Sequence, residues 1–209
     1  MIRRQIMAMM FAMCTLLPLT ADADARITAA GALVDSMISD LETFLATDTG
    51  DESVRTAEID RVLNTYFDMD SITRFSAGQY WRAASREQKT EYGSLFREVL
   101  CGTIVSNFDQ LQGLAYMADA ATAKGDKFVI VSGTFTDTTG QRPAVKVNWR
   151  VLTREGAAPK VFDIEIENLS LLVTQKQENV AVIRKNKGEF VALINAMKDR
   201  LANPARNDS

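Results

Sequence analysis

The sequence predicts an α+β domain, with helices first, a curled antiparallel sheet after them and a closing helix at the end. Three observations carry this. Up to Phe108 the apolar residues recur at helical spacing. After Gly125 they alternate with polar ones, as in half-buried strands. After Lys187 helical spacing returns. A chain of 209 residues suits one domain and leaves no length for a second full core.

Residues 1–25 read as a cleaved signal peptide. "MIRR" is a basic start, "IMAMMFAMCTLLPL" an apolar run too short for a membrane span, and "ADADA" offers cleavage after Ala23 or Ala25. The domain then comprises residues 26–209. Removal of Arg3, Arg4, Asp22 and Asp24 with the leader leaves the net charge at −3. Cys101 is the one thiol left, so the exported domain holds by packing without an internal disulfide.

Residues 27–46 form an amphipathic helix through Leu33, Val34, Met37, Ile38, Leu41, Phe44 and Leu45. A polar loop, "TDTGDES", leads to a second helix from Glu52 to Phe67. Asp68, Asp70 or Ser71 caps a short helix over 71–78, which Gly78 ends. "SREQ" at 85–88 is a capping box, and the helix after it buries Tyr92, Phe96, Leu100 and Ile104 along one side. That helix spans roughly 35 Å, about the width of the domain.

Three strands follow, "DKFVIVSGTFTD", "RPAVKVNWRVL" and "PKVFDIEIENLSLLV". Val145, Val147, Trp149 and Val151 alternate with Lys146, Asn148 and Arg150. Phe162, Ile164 and Ile166 alternate with Asp163, Glu165 and Glu167, which read as a solvated face. One apolar and one wet face argue a sheet covered on one side. The closing helix carries Phe190, Val191, Ile194, Met197 and Leu201, and the last residues fray.

Several chemistries are excluded. The chain has no histidine, which removes Ser-His-Asp and Cys-His machinery and the commonest metal ligand. No cysteine or carboxylate cluster has metal-ligand spacing, and no glycine pattern cradles a phosphate. A net charge of −3 and a pI of about 5.2 argue against nucleic acid, which needs a basic face. Arg74, Arg82, Arg86 and Lys89 are matched by Asp68, Asp70, Glu87 and Glu91.

The stretch "FDMDSITRFSAGQYWRAASREQKTEYGSLFREVL" resembles the signature of the MlaC, or toluene-tolerance auxiliary, family. Phe67, Asp68, Gly78, Tyr80, Trp81, Arg82, Glu87, Gln88 and Phe96 carry it. In the second half, Trp149, Val161, Phe162, Asp163, Ser170 and Leu171 fall in place. Pro159-Lys160, Asn168-Leu169-Ser170 and "QKQENV" depart from the family pattern near one end of the sheet.

The resemblance implies a periplasmic carrier that holds phospholipid acyl chains in an apolar cavity between sheet and helices. Its implied partners are phospholipid, an inner-membrane ABC transporter with a membrane-anchored binding subunit, and an outer-membrane lipoprotein complex. It implies no cofactor beyond phospholipid as cargo, no metal and no catalysis. The expected cavity wall is Tyr66, Phe75, Trp81, Phe96, Val99, Leu100, Val147, Trp149, Phe162 and Ile164. Alternatives are a hopanoid-associated carrier of the same family, an adaptor that binds no lipid, or a cone-shaped ketosteroid-isomerase-like enzyme. The enzyme needs a carboxylate inside the pocket with a raised pKa.

Overall fold

The computed structural model describes residues 19–203. The leader's basic start and nearly all of its apolar run, and the frayed tail, fall at 1–18 and 204–209, outside the described residues. Six α-helices and five strands are described: α1 (Leu19–Thr47), α2 (Glu52–Tyr66), α3 (Met69–Ser76), α4 (Arg86–Ser106), β1 (Leu114–Lys124), β2 (Phe128–Asp137), β3 (Val145–Leu152), β4 (Lys160–Ile166), β5 (Leu169–Ser170), α5 (Leu171–Lys185) and α6 (Phe190–Ala202). The strands pair antiparallel in chain order and do not close on themselves. The fold is α+β, as the sequence predicts.

The helix starts are set by side chains that take up free backbone N–H groups. The Asp51 carboxylate accepts from Ser53 N at 2.8 Å and opens α2. Asp68 accepts from Ser71 N at 3.1 Å and opens α3. The Ser85–Gln88 box is complete: Gln88 N donates to Ser85 Oγ at 3.2 Å, and Ser85 N donates to Gln88 Oε1 at 2.9 Å. Gly78 sits at φ +59°, and a Cβ there would come 2.8 Å from Val180 Cγ2. Only glycine both turns the chain and lets α5 approach.

Two elements differ from the sequence expectation. The segment 114–124 is strand β1, although "LAYMADAATAK" is rich in alanine and shows little alternation. Leu171–Val173, expected to continue the third strand, instead begin α5. Glu167 and Asn168, at φ +49° and +66°, form the two-residue turn that ends β4, and Ser170 then caps α5 by accepting from Val173 N at 3.0 Å.

The solvated acid row also needs correction. A register shift beside Val151 brings Val161 and Ile164, three residues apart, to one apolar cluster and leaves Phe162 in another. Asp163 is 4% exposed, not solvated. It accepts from Ser170 Oγ at 2.7 Å and Leu172 N at 3.1 Å, and Arg150 lies 3.9 Å away. The buried charge is held as the clasp between β4 and the start of α5.

The helix laid across the sheet is α1. Val34, Met37 and Ile38 pack on Val129, Val131, Val147, Trp149 and Val151. The long α4 packs instead on α2 and α6, whose Phe190, Leu193 and Met197 join Tyr92 and Phe96 in a second cluster. Tyr116 lies across Gly133, where an added Cβ would stand 2.3 Å from the phenol oxygen. This cross-strand cover brings Tyr116 to Phe135 and Trp149, at ring-centroid distances of 5.1 Å and 6.4 Å.

Candidate functional site: an apolar cavity in two chambers

The strand register decides which side chains look inward. Val147 pairs with Ile166 and Trp149 with Ile164, so these four share the face under α1. Across from them stand Met37, Ile38 and Leu41 of α1, Ile59, Val62 and Leu63 of α2, and Ile104 of α4. The elements do not meet fully. Between them is a first chamber of about 340 Å³ whose wall is almost wholly hydrocarbon.

A second chamber of about 330 Å³ lies toward α5, lined by Ile72, Phe96, Leu100, Phe162 and Leu172. Leu63, Phe67, Ile104, Ile164 and Leu171 line both. The two are therefore neighbouring lobes of one hollow, each within the usual range of ligand pockets, about 300–1,000 Å³.

The charged groups are placed at its margins. Glu42 lines the first lobe and Glu178 the second, both on exposed residues. Asp163 touches the second lobe, but its oxygens are taken by Ser170 and Leu172. No group of three His, Cys, Asp or Glu residues among the described residues is placed to hold a metal.

A larger depression of about 550 Å³ lies on the opposite face of the sheet. Ser132, Asn148, Arg150 and Glu165 line it, at positions that alternate with the inward Val131, Val147, Trp149 and Ile164. It is shallow and half polar, so it cannot shelter hydrocarbon.

Of the ten residues expected at the cavity wall, six stand there. Val147 and Trp149 line the first lobe, Phe96, Leu100 and Phe162 the second, and Ile164 both. The structure does not bring the other four to it. Tyr66 is buried against α1, its hydroxyl donating to Asp40 at 2.6 Å. That bond and the Arg61 guanidinium hold the Asp40 carboxyl below the usual range, and the Asp40 bond pushes the Tyr66 phenol up. Phe75 packs edge-on to Phe162 at 5.6 Å, beneath the Lys176 ammonium. Val99 packs against the second cluster. Trp81 lines a surface trough with Arg74, Lys89 and Arg97.

The sequence reasoning missed the α1 and α2 contributions, Met37, Ile38, Leu41, Ile59, Val62 and Leu63. Their helical spacing was visible, but nothing in it says that the stripe faces a hollow. Leu171 also lies outside the expected wall, because its apolar run suits a strand while the chain opens α5 there.

A comparison with curated proteins found no match. Among solved structures, the chain is similar to a phospholipid-binding protein from Ralstonia solanacearum, determined in complex with a phospholipid. The TM-score is 0.69 at 25% identity, covering 83% of this chain and 97% of that one. The family model described as MlaC protein matches residues 32–199, which span every described element from α1 into α6. The match covers well over half of the chain, and the chain belongs to the MlaC family.

Proposed function

We propose that this protein is a soluble lipid carrier of the periplasm. Residues 1–25 act as the cleaved leader, and residues 26–209 shuttle phospholipid between an inner-membrane ABC transporter, through its membrane-anchored subunit, and an outer-membrane lipoprotein complex. The observation that carries the reading is the two-lobed apolar hollow. It is supported by the phospholipid held by the Ralstonia solanacearum neighbour.

The physics of the cargo explains the design. Each CH2 in water costs about 0.8 kcal/mol, so two tails of about 16 carbons cost on the order of 20 kcal/mol. Free diffusion through an aqueous compartment is therefore negligible. A dry cavity must nearly match the bilayer without greatly exceeding it, or delivery stops. Trp149, Val147, Ile164 and Leu63 supply such a wall, and their chemistry offers van der Waals contact without directed bonds. Two lobes joined along Leu63, Phe67, Ile104, Ile164 and Leu171 suit two acyl chains.

Binding is favoured over catalysis. A ketosteroid-isomerase-like enzyme needs an uncommitted carboxylate deep in the pocket. Here the buried carboxylate of the lining, Asp163, is engaged by two hydrogen bonds and Arg150.

Titration with a fluorescent acyl probe tests the reading. Wild-type protein, stripped of lipid by solvent extraction and refolded, should bind the probe, and phosphatidylethanolamine vesicles should compete it away. Leu100→Asp, which puts a carboxylate on the wall of the second lobe, should weaken binding about tenfold or more. A folded Leu100→Asp variant with unchanged binding removes Leu100 from the site. A folded wild type that binds neither probe nor phospholipid defeats the carrier reading.

A further inference from the structure

The cavity wall reaches solvent at three places: on α1, at the β4–β5 hairpin with the start of α5, and further along α5. Among its lining residues only Glu42, Ile166, Leu171 and Glu178 are exposed, and every other one is buried or half-buried. Two of these four are apolar: Ile166 is 38% exposed and Leu171 43%. Leu171 lines both lobes. Ile166 and Leu171 are thus the apolar side chains that touch both the hollow and the solvent, and they mark an opening that hydrocarbon can use.

The chain around this opening is unusually greasy. Ile166 and Leu169 pair across the two-residue turn of the β4–β5 hairpin. Leu169 is 61% exposed and Val173, in the first turn of α5, is 37% exposed. Single exposed aliphatic residues are ordinary, but four within eight positions, continuous with a cavity, mark a working surface. The turn itself holds Glu167 and Asn168 at positive φ, and the pairing sets Leu169 beside Ile166 on one face of the hairpin.

We propose that this lip is the portal: phospholipid acyl chains enter and leave between the β4–β5 hairpin and the start of α5, passing over Ile166, Leu169 and Leu171. The inference rests on the carrier reading and adds the route to it. A chain leaving a bilayer is disfavoured in proportion to the number of CH2 groups that water reaches. An apolar lip joined to an apolar wall lets methylenes pass from one shelter to the next with few wetted at once. The lip therefore governs the rate of exchange, while the walls govern how much lipid is held.

Transfer kinetics test this. Phosphatidylcholine vesicles carrying a self-quenched fluorescent phospholipid are mixed with delipidated protein, and the rise in fluorescence gives the loading rate. Leu169→Glu should load about tenfold more slowly or worse, because hydrocarbon must pass a carboxylate. Its lipid content after prolonged equilibration should match wild type, since Leu169 is not among the lining residues. Leu169→Met should load at the wild-type rate. Met117→Glu is the control: Met117 is 62% exposed on β1, at the far edge of the sheet, and the variant should load normally. A Leu169→Glu rate equal to that of Met117→Glu overturns the portal while leaving the carrier reading intact. Wild-type protein that takes up no lipid overturns the carrier reading and the portal with it.

Discussion

The interior of this protein has a filled half and a hollow half. In the filled half, Tyr92, Ile183, Leu193, Ile194 and Met197 are at most 2% exposed, where α4, α5 and α6 interlock. A buried polar network stitches them: Ser76 Oγ lies 2.7 Å from the Tyr92 hydroxyl, and Asn179 Nδ2 donates to that hydroxyl at 3.0 Å and to Ser76 O at 3.2 Å. In the hollow half, α1, α2 and α4 face the sheet across open space. Both halves are made of the same aliphatic and aromatic residues. Apolar content thus does not separate a core from a cargo hold. What separates them is whether a third layer, here α6 and the second half of α5, arrives to fill the gap and bring directional bonds.

The contrast predicts unequal responses to truncation. Leu193→Ala opens a void in packed surroundings and should cost about 2–5 kcal/mol. Ile104→Ala, on the wall common to both lobes, should cost about half of that or less in lipid-free protein, because part of its surface already meets no neighbour. Urea unfolding of the two delipidated variants reads this directly. Equal costs would mean that the hollow closes up in solution.

Tyr92→Phe comes next. It removes the hydroxyl that Ser76 and Asn179 share, leaves Asn179 short of a partner, and should cost about 1–3 kcal/mol. Lipid binding should be unchanged, as Tyr92 does not line the cavity. Loss of lipid in a folded Tyr92→Phe variant would show that the two halves are coupled.

The smallest expected effect is that of pH. The chain has no histidine. Among the described residues, the carboxyls whose pKa is displaced are all lowered: Asp137 by the Thr139 hydroxyl and Arg142, Asp48 by Arg55, Asp51 by Ser53, Asp40 by Tyr66 and Glu87 by its own backbone N–H and Ser85. A lowered folded-state pKa gives stability that is complete above the unfolded carboxylate value and is lost as pH falls toward the folded one. Burial pushes the Tyr92 phenol and the Cys101 thiol up, and their contribution is lost only in alkali. Stability and bound lipid should therefore be flat from about pH 5 to pH 8. A melting-temperature scan across that range checks it, and a midpoint near neutrality would reveal a group whose titration this fold does not explain.

Much of this was legible in the sequence. Helices α1, α2, α4 and α6 followed from apolar spacing, and the capping box at Ser85 from four residues. Strands β2, β3 and most of β4 followed from alternation. β1 escaped because alanine fits a strand without advertising one, and it sits at the sheet edge, where few large side chains are needed. α5 escaped because "LSLLV" carries an apolar run that suits either period. The signs were the Asn168 turn and Ser170 as cap. The site was half legible for a related reason. Val147, Trp149 and Ile164 announce an inward face, yet no pattern distinguishes a face that meets partners from one that meets space. Tyr66, Phe75, Trp81 and Val99 share the composition of the wall, but they pack against neighbours or line the surface trough.

The most direct test of lipid carriage is native mass spectrometry of the protein exported from cells and purified without detergent. The expected result is a mature chain beginning at Asp24 or Arg26 with a stoichiometric adduct of phospholipid mass, which solvent extraction removes. Clean lipid-free protein that stays empty after incubation with phospholipid vesicles would contradict the claim that the two-lobed hollow is a cargo hold.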